Sequence, residues 1–523
     1  VESSAQSTKP RYLEFAGLSW LAVLFLLLTA AVSLIWSHFR LMDQDEFLVL
    51  WTDRVYTLGQ LIHIQRNCPI SLDPLFYHVL AHLSISIFGA TAFAIRLPSL
   101  LGYLLMQVCL YKFVRRIATE RAAIFALAFP ALTATLFYSV DGRPYGLLLG
   151  EYALAMLYWQ TATRDETHRF VALVTLALTV ALTLNTHYFG ILLLVPLCAA
   201  ELYRTIARRR LDLPVLAAIA AGMAGFISTL PFVKAAAVFR KNYYNTGVVN
   251  HHTITQAYRS LLVDYTHVSM RMQHVLAIVF VLFTLLFLFG CIRQLRNRML
   301  PLANSETVFL IVLAALPFCG FLMAHYATHT IEVRYVLGAI VGITPLLAIA
   351  LTPIFRRDTT ARIIFALLFI AIAASGIAHI YSERSYKLET LASLVPSSEL
   401  KAAVLTSPTQ ALYIQDMGHF AVASFYEPDP VVRSHLALVY SPVEEIRWRS
   451  RDTNSLTALN MKSFTQFTIA PYESLTTQPG DHIFLLYHDG WNWTDQAFAV
   501  DHAQVTPIGK MLQGDTAAVR FLP

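Results

Sequence analysis

Long apolar runs separated by short polar connections fill most of this chain up to about residue 384. The first, Phe15 to Trp36, holds 22 residues without a charge, enough to span a hydrocarbon core of about 30 Å. Lys9 and Arg11 precede it. A cleaved secretory signal has a shorter apolar centre, so a retained signal anchor is expected. Further runs lie at about 92–111, 122–138, 144–162, 170–184, 188–203 and 213–233, then at about 275–292, 306–325, 335–355 and 361–381. About eleven spans are therefore expected. In the connection 40–96, Phe47, Trp51, Val55, Leu58 and Ile62 fall on one helical stripe, with Asp53, Thr57 and Gln60 opposite. That pattern predicts a helix lying in the interface plane with its apolar face in lipid. A helix packed on a protein core has the same periodicity. From about Ser382 the pattern changes: Ala411 to Asp416 and Ile483 to His488 read as short buried strands. Ser398 to Leu405 and Gly418 to Tyr426 read as helices. A membrane unit over 1–384 and a small soluble α/β domain over 385–523 follow.

Composition agrees, since 56% of the 523 residues are hydrophobic and 14% are charged. Ordinary soluble domains carry about 25% charged residues. Charge also orients the chain. Alternate connections carry Lys112, Arg115, Arg116 and Arg121; Arg164 and Arg169; Arg204, Arg208, Arg209 and Arg210; Arg293, Arg296 and Arg298; and Arg356, Arg357 and Arg362. The short connections between them carry Arg143 and Arg334. Cytoplasmic connections are the basic ones. The N-terminus is then expected inside, with the 40–96 loop, the 234–273 loop and the C-terminal domain outside. The net charge of +6 mostly reflects these anchoring arginines, so nucleic acid is not an expected partner. Cys109, Cys198, Cys291 and Cys319 sit in apolar runs, and Cys68 lies in the first loop. No intrachain disulfide and no Cys-x-x-Cys metal site is expected.

Candidate chemistry gathers on the exterior side. Asp43, Asp45 and Glu46 crowd into four residues beside the membrane surface, where charge is expensive and usually has a partner or a task. Any one of them also suits a helix N-terminus. Asp141-Gly142-Arg143-Pro144-Tyr145 opens the fourth run, with proline well placed at a helix start. A local Asp141–Arg143 ion pair is the plainer alternative. His187 and Tyr188 close the fifth run and suit a phosphate, a sugar hydroxyl or a ring, though both are ordinary interface anchors too. The loop 234–273 offers Lys234, Arg240, Lys241, Tyr243, Tyr244, His251, His252 and Arg259, which suit a lipid phosphate or simply water. His325, His329, Glu332, Arg334 and Tyr335 precede the tenth run. In the C-terminal domain Asp416, His419, His488, Asp489 and Trp491-Asn492-Trp493 show no recognisable spacing.

The Asp45-Glu46 pair after the first span, then Asp73-Pro74-Leu75-Phe76-Tyr77, Phe88-Gly89 and Arg96-Leu97-Pro98-Ser99, resembles the motif order of the GT-C superfamily of polyprenyl-phosphate-sugar glycosyltransferases. The closer resemblance is to their protein-mannosyltransferase and lipid A aminoarabinose-transferase branch. Asp73 stands where that branch more often has proline. Asp141-x-Arg143-x-Tyr145, Thr186-His187-Tyr188-Phe189, and Arg334-Tyr335 with Pro345 downstream resemble further segments of the branch. The resemblance implies an α-helical polytopic membrane protein of the GT-C fold with interfacial helices in the first exterior loop. It implies a dolichyl- or undecaprenyl-phosphate-sugar donor, a lipid, glycan or protein acceptor, and a place in a bacterial inner membrane. Asp45 would act as general base, with Glu46 and Asp141 beside it. Lipid and the charge of Glu46 would favour a proton on Asp45. Arg143, Arg334, Lys234, His187, Tyr188 and Tyr335 would contact the donor. No cofactor is required, although Asp45, Glu46 and Asp141 could hold a divalent cation. A lipid-carrier or sugar transporter would also carry many spans, but a transport site belongs near the midplane between repeated halves. A membrane-anchored sensor would leave the acids of the first loop without a role.

Overall fold

The computed structural model describes residues 18–239, 250–263, 304–328, 332–405, 410–487 and 492–522. The first apolar run forms α1 (Trp20–Phe39), started by the Ser19 side chain accepting from the Ala22 amide. It is followed by α2 (Gln44–Asp53), α3 (Leu58–Asn67), α4 (Leu75–Phe88), α5 (Ala92–Arg115), α6 (Glu120–Ala128) and α7 (Tyr145–Arg164). Then come α8 (Arg169–Thr186), α9 (Leu194–Arg208), α10 (Leu213–Ala224) and α11 (Leu230–Ala236). Among the described residues, Trp20–Phe39, Ala92–Arg115, Arg169–Thr186, Tyr188–Arg208, Leu213–Ala236 and Asp358–Ser393 are each long and apolar enough to cross a membrane. Ser305–Ala314 and Leu316–Tyr326 form a further pair, bent by 55°.

The expected run 122–138 is not one span. It is α6 followed by two 3-10 stretches, Phe129–Leu132 and Ala134–Ser139, because Pro130 cannot continue the α-helical hydrogen-bond ladder. The run 335–355 is likewise broken, into Val333–Val336, Ala339–Ala350 and Ile354–Arg356. The run 275–292, Lys9, Arg11, Cys291, and Arg240 to Tyr244 lie outside the described residues.

The tightest helix pairing is between α5 and α7, and glycine makes it possible. Gly146 and Gly150 repeat at the spacing of one helix face and meet Gly102 of α5. A methyl group on Gly146 would come to 2.5 Å from the Ser99 carbonyl oxygen, and one on Gly150 to 2.4 Å from that of Gly102. Small residues at this spacing let membrane helices touch backbone to backbone. The start of α7, with Asp141 and Arg143 just before it, is thereby pinned beside the start of α5.

The first loop departs from the expected interfacial helix. Arg54 to Tyr56 interrupts it, giving α2 and α3 in place of one helix. Nor does the stripe of α2 face lipid. Phe47 packs edge-on against Phe425 and Tyr426, and Trp51 against Phe420 and Phe467, all in the C-terminal domain. The stripe gives the period of a buried face and is silent about what covers it.

The long helix Asp358–Ser393 passes residue 384 without a break and leads to the C-terminal domain. There β1 (Leu412–Ile414), β2 (Leu436–Tyr440), β3 (Thr468–Pro471) and β4 (Asp481–Leu486) lie parallel in the order β3-β2-β1-β4. The antiparallel hairpin β5 (Gln504–Met511) and β6 (Gly514–Arg520) extends the sheet beyond β4. The strands expected at 411–416 and 483–488 are β1 and β4. The helices expected at 398–405 and 418–426 are Ser398–Leu405 and Met417–Tyr426.

Candidate active site

The acidic run after α1 is a capping box and an ion-pair cluster at once. Asp43 accepts from the Glu46 amide at 2.9 Å, and Glu46 accepts from the Asp43 amide at 3.2 Å. Glu46 is completely buried. Arg96 clamps both of its oxygens at 2.6 and 2.7 Å, Arg40 adds a bond of 2.8 Å, and the Gly142 amide donates at 2.7 Å. Burial would raise the Glu46 carboxyl, but Arg40 and Arg96 outweigh it and hold it at about 2. Gly142 is the residue that fits there, since a methyl group would meet Ile95 at 2.8 Å and Glu46 at 3.0 Å.

Asp141 joins this cluster, 3.9 Å from Arg40. Burial and the nearby carboxylate of Asp43 push its carboxyl well above the usual range. Asp43, Glu46 and Asp141 bring carboxylate oxygens within 4.8 Å of one another. The expected cation group was Asp45, Glu46 and Asp141, and the geometry does not assemble it: Asp43 takes the place of Asp45. Arg40 reaches all three carboxylates and Arg96 holds Glu46, so guanidiniums occupy the place a cation would take in this trio.

Asp45 faces a cavity of about 460 Å³. Its carboxylate bridges Arg143 at 2.9 Å and Arg334 at 3.3 Å. Arg143 also reaches Asp73 at 3.0 Å, and His187 stands 3.7 Å from the other Asp73 oxygen. Both guanidiniums lie 5.9 Å from the centre of the Tyr145 ring. Behind them Tyr335 stacks on Phe189 at 4.2 Å and touches the His187 ring at 5.7 Å. Burial would raise the Asp73 carboxyl, but Arg143 and His187 pull it below the usual range. Burial is the main cause that drives His187 down to about 4, so it is a neutral imidazole at pH 7. Among the described residues the Nε groups of Arg143 and Arg334 are buried without a hydrogen-bond partner, while the guanidinium ends that hold Asp45 line the cavity, where an oxyanion would find donors.

Of the residues singled out in the sequence, Asp45, Arg143, His187, Tyr188, Arg334 and Tyr335 all line this cavity. Glu46 and Asp141 lie outside its lining, in the neighbouring arginine cluster. Lys234, on α11, is not in the wall, whereas Ala236 and Phe239 are. The C-terminal domain supplies Asp416, named in the sequence without a role, and Glu445, Arg451, Thr453, Asn454 and Thr457, which sequence reasoning missed because nothing local links them to the first loop. Arg96 and Gly142 were within reach of it. A charged residue inside an apolar run and a glycine between two charges both invite a search for a partner. The quoted motifs interlock: the Tyr77 hydroxyl lies 3.2 Å from that of Ser99, and Ser99 donates to the Arg143 carbonyl.

Residues 73–233 match the family model described as dolichyl-phosphate-mannose-protein mannosyltransferase. No curated protein matches the chain. ArnT from Cupriavidus metallidurans in the apo state is similar in structure, with 14% identity, 95% of this chain and 97% of that chain covered, and a TM-score of 0.58. The chain has the GT-C fold. The same ArnT bound to undecaprenyl phosphate matches this GT-C chain at 12% identity, again over 95% and 97%, with a TM-score of 0.58. An apo oligosaccharyltransferase from Archaeoglobus fulgidus matches at 12% identity over 81% of this chain and 65% of that one, with a TM-score of 0.45. Within the GT-C fold seen here, the family match carries Asp73, Arg96, Asp141, Arg143 and His187, while Asp45 and Arg334 flank it.

Proposed function

We propose that this protein is a membrane glycosyltransferase that moves a sugar from a polyprenyl-phosphate carrier to an acceptor hydroxyl on the extracytoplasmic face. The observation that carries the reading is the Asp45 carboxylate bridging Arg143 and Arg334 in a cavity between the first loop, the spans and the C-terminal domain. A carrier phosphate entering there competes with Asp45 for the two guanidiniums and leaves the carboxylate to the acceptor. The acceptor oxygen then bonds to the anomeric carbon while the carbon–oxygen bond to phosphate breaks. The electron pair leaves with the lipid phosphate, which the arginines stabilise, and the acceptor proton passes to Asp45. Neutral His187 and the Tyr145 and Tyr335 rings supply hydrogen bonding and a surface for the sugar or the first prenyl units.

The ArnT complex with undecaprenyl phosphate supports that class of carrier, and the GT-C fold supports transfer. The arginine-rich connections support an N-terminus inside and 385–523 outside, beyond a membrane unit of 1–384, and the likeness to ArnT supports a bacterial inner membrane facing the periplasm. The test is binding of undecaprenyl phosphate to the purified full chain. Arg143→Ala and Arg334→Ala should each weaken it by about ten-fold or more. Unchanged affinity in both variants would remove the phosphate from this cavity and the reading with it.

A further inference from the structure

A second cavity, of about 340 Å³, opens on the other side of Gln44, and Gln44 and Asp416 line both. It lies where the C-terminal sheet changes direction. β1 is followed by the helix Met417–Tyr426 leading to β2 on one side, while β4 pairs with β1 on the other. Open parallel sheets bind ligands outside the strand ends at such a point. Here the residues following the two strands meet: His419, after β1, stacks on Tyr487, after β4, with ring centres 3.5 Å apart. Asp416 holds the His419 imidazole at 2.8 Å. The rim is the turn between β5 and β6, where Leu512 and Gln513 take φ of 49° and 62° with no glycine to ease them. The Ser393 carbonyl accepts from the Leu512 amide at 2.5 Å, and the Tyr487 hydroxyl donates to the Leu512 carbonyl. Positive φ at both positions is the geometry of a two-residue hairpin turn, which sets this rim beside Ser393 and Tyr487.

The lining decides the chemistry. Arg40 is spent on Glu46, on Asp43 at 2.6 Å and on the Val140 carbonyl at 3.1 Å. The same bond occupies Asp43, and Asp416 accepts from the His419 amide at 2.8 Å, so the lining holds paired carboxylates beside the Gln44 and Gln513 amides, Thr390 and Tyr386. Carboxylates and amides beside aromatic faces pair with hydroxyls and with the apolar face of a sugar ring, and they repel a phosphate. We propose that this second cavity binds a neutral, hydroxyl-rich glycan, the part of the acceptor that precedes the reacting hydroxyl. Its place in catalysis rests on the transferase reading above; its ligand class does not. The partition is thin. Gln44 Nε2 lies 3.3 Å from Asn454 Oδ1 in the first cavity, and a methyl group on Gly418 would lie 3.7 Å from Gln44 Oε1. An acceptor chain seated in the second cavity thus lies against Gln44 and Asp416, the side chains it shares with the cavity of Asp45.

The experiment titrates the full chain in lipid nanodiscs with chitotriose, with glucose 1-phosphate and, separately, with undecaprenyl phosphate. Chitotriose should bind. Val422→Trp, which fills the second cavity, and His419→Ala, which removes the stacked ring, should each weaken it by about ten-fold or more. Arg143→Ala should leave it unchanged. Undecaprenyl phosphate binding reports that Val422→Trp and His419→Ala are folded, the melting temperature in detergent does so for Arg143→Ala, and if Val422→Trp fails its check then His419→Ala decides alone. Absence of chitotriose binding, preference for glucose 1-phosphate, or normal chitotriose affinity in the folded variants would overturn the proposal. Chitotriose binding in a wild-type chain that ignores undecaprenyl phosphate would overturn the transferase reading and leave the glycan cavity standing.

Discussion

Adjacent residues of the first loop do different work. Asp45 and Glu46 follow one another, yet one opens into a cavity with two arginines and the other is sealed among two different ones. Asp45→Asn keeps shape but cannot accept the acceptor proton, so turnover with purified donor and acceptor should fall by about 100- to 10,000-fold while undecaprenyl phosphate still binds. Full activity in that variant would end the general-base assignment. Glu46→Gln should behave in the opposite way. Breaking a buried ion pair costs about 3–5 kcal/mol, so the melting temperature in detergent should drop sharply, with carrier affinity per folded molecule nearly intact. His187 gives a pH signature. Its value of about 4 in the fold lies below the unfolded one of about 6.5. The unfolded chain therefore binds the extra proton, and stability present above about pH 6.5 is lost as pH falls toward 4. His187→Gln should flatten the melting profile in that window. Parallel profiles for the two proteins would show that His187 is not the group responsible.

At the scale of elements, the site depends on how closely α5 and α7 approach. The methyl group of Gly146→Ala would come to 2.4 Å from the Tyr138 carbonyl oxygen and 2.5 Å from that of Ser99. The helices must separate, and the Ser99 contact that holds Arg143 goes with them. Lower yield of folded protein and weaker undecaprenyl phosphate binding should appear together. Gly59→Ala on α3 is the control. A methyl group there meets nothing closer than 3.9 Å, and alanine favours the helix by about 0.5–1 kcal/mol. If both substitutions are silent, the glycine contact does not hold the site together. The helical runs were legible because lipid demands long apolar segments with every backbone group satisfied. The breaks at Pro130 and at Arg54 to Tyr56 were not read, since a bend inside an apolar run alters its composition little.

At the scale of the whole molecule, the C-terminal domain is built into the site. It covers the apolar stripe of α2 through Phe420, Phe425 and Phe467 and forms one wall of the cavity. The orientation proposed for the membrane rests on the arginine pattern and is open to direct test. Single cysteines placed at 205–210 should be shielded from an impermeant thiol reagent in intact cells, whereas those placed after residue 410 should react. The reverse labelling would put Asp45 on the cytoplasmic side and remove the extracytoplasmic acceptor.

The sequence by itself determined the quantities that are local or additive. Six of the expected spans, the basic connections, two of the strands and the order of the acid, arginine and aromatic segments were readable among the described residues, because hydrophobicity and charge act residue by residue. Only the tertiary structure decided which carboxylate meets which arginine. Asp43, Asp45 and Glu46 are near-equivalent in sequence, and the capping box at Asp43 fixes which side chain turns inward. Arg96 and Arg40 claim Glu46, and Arg143 and Arg334 claim Asp45, and the glycine contact of α5 with α7 brings the Arg96 and Arg143 segments, remote in sequence, to the same place. The partner of the α2 stripe was decided in the same way. A burial pattern records that a face leaves water, and the physical identity of what replaces the water is fixed only when the chain has closed on itself.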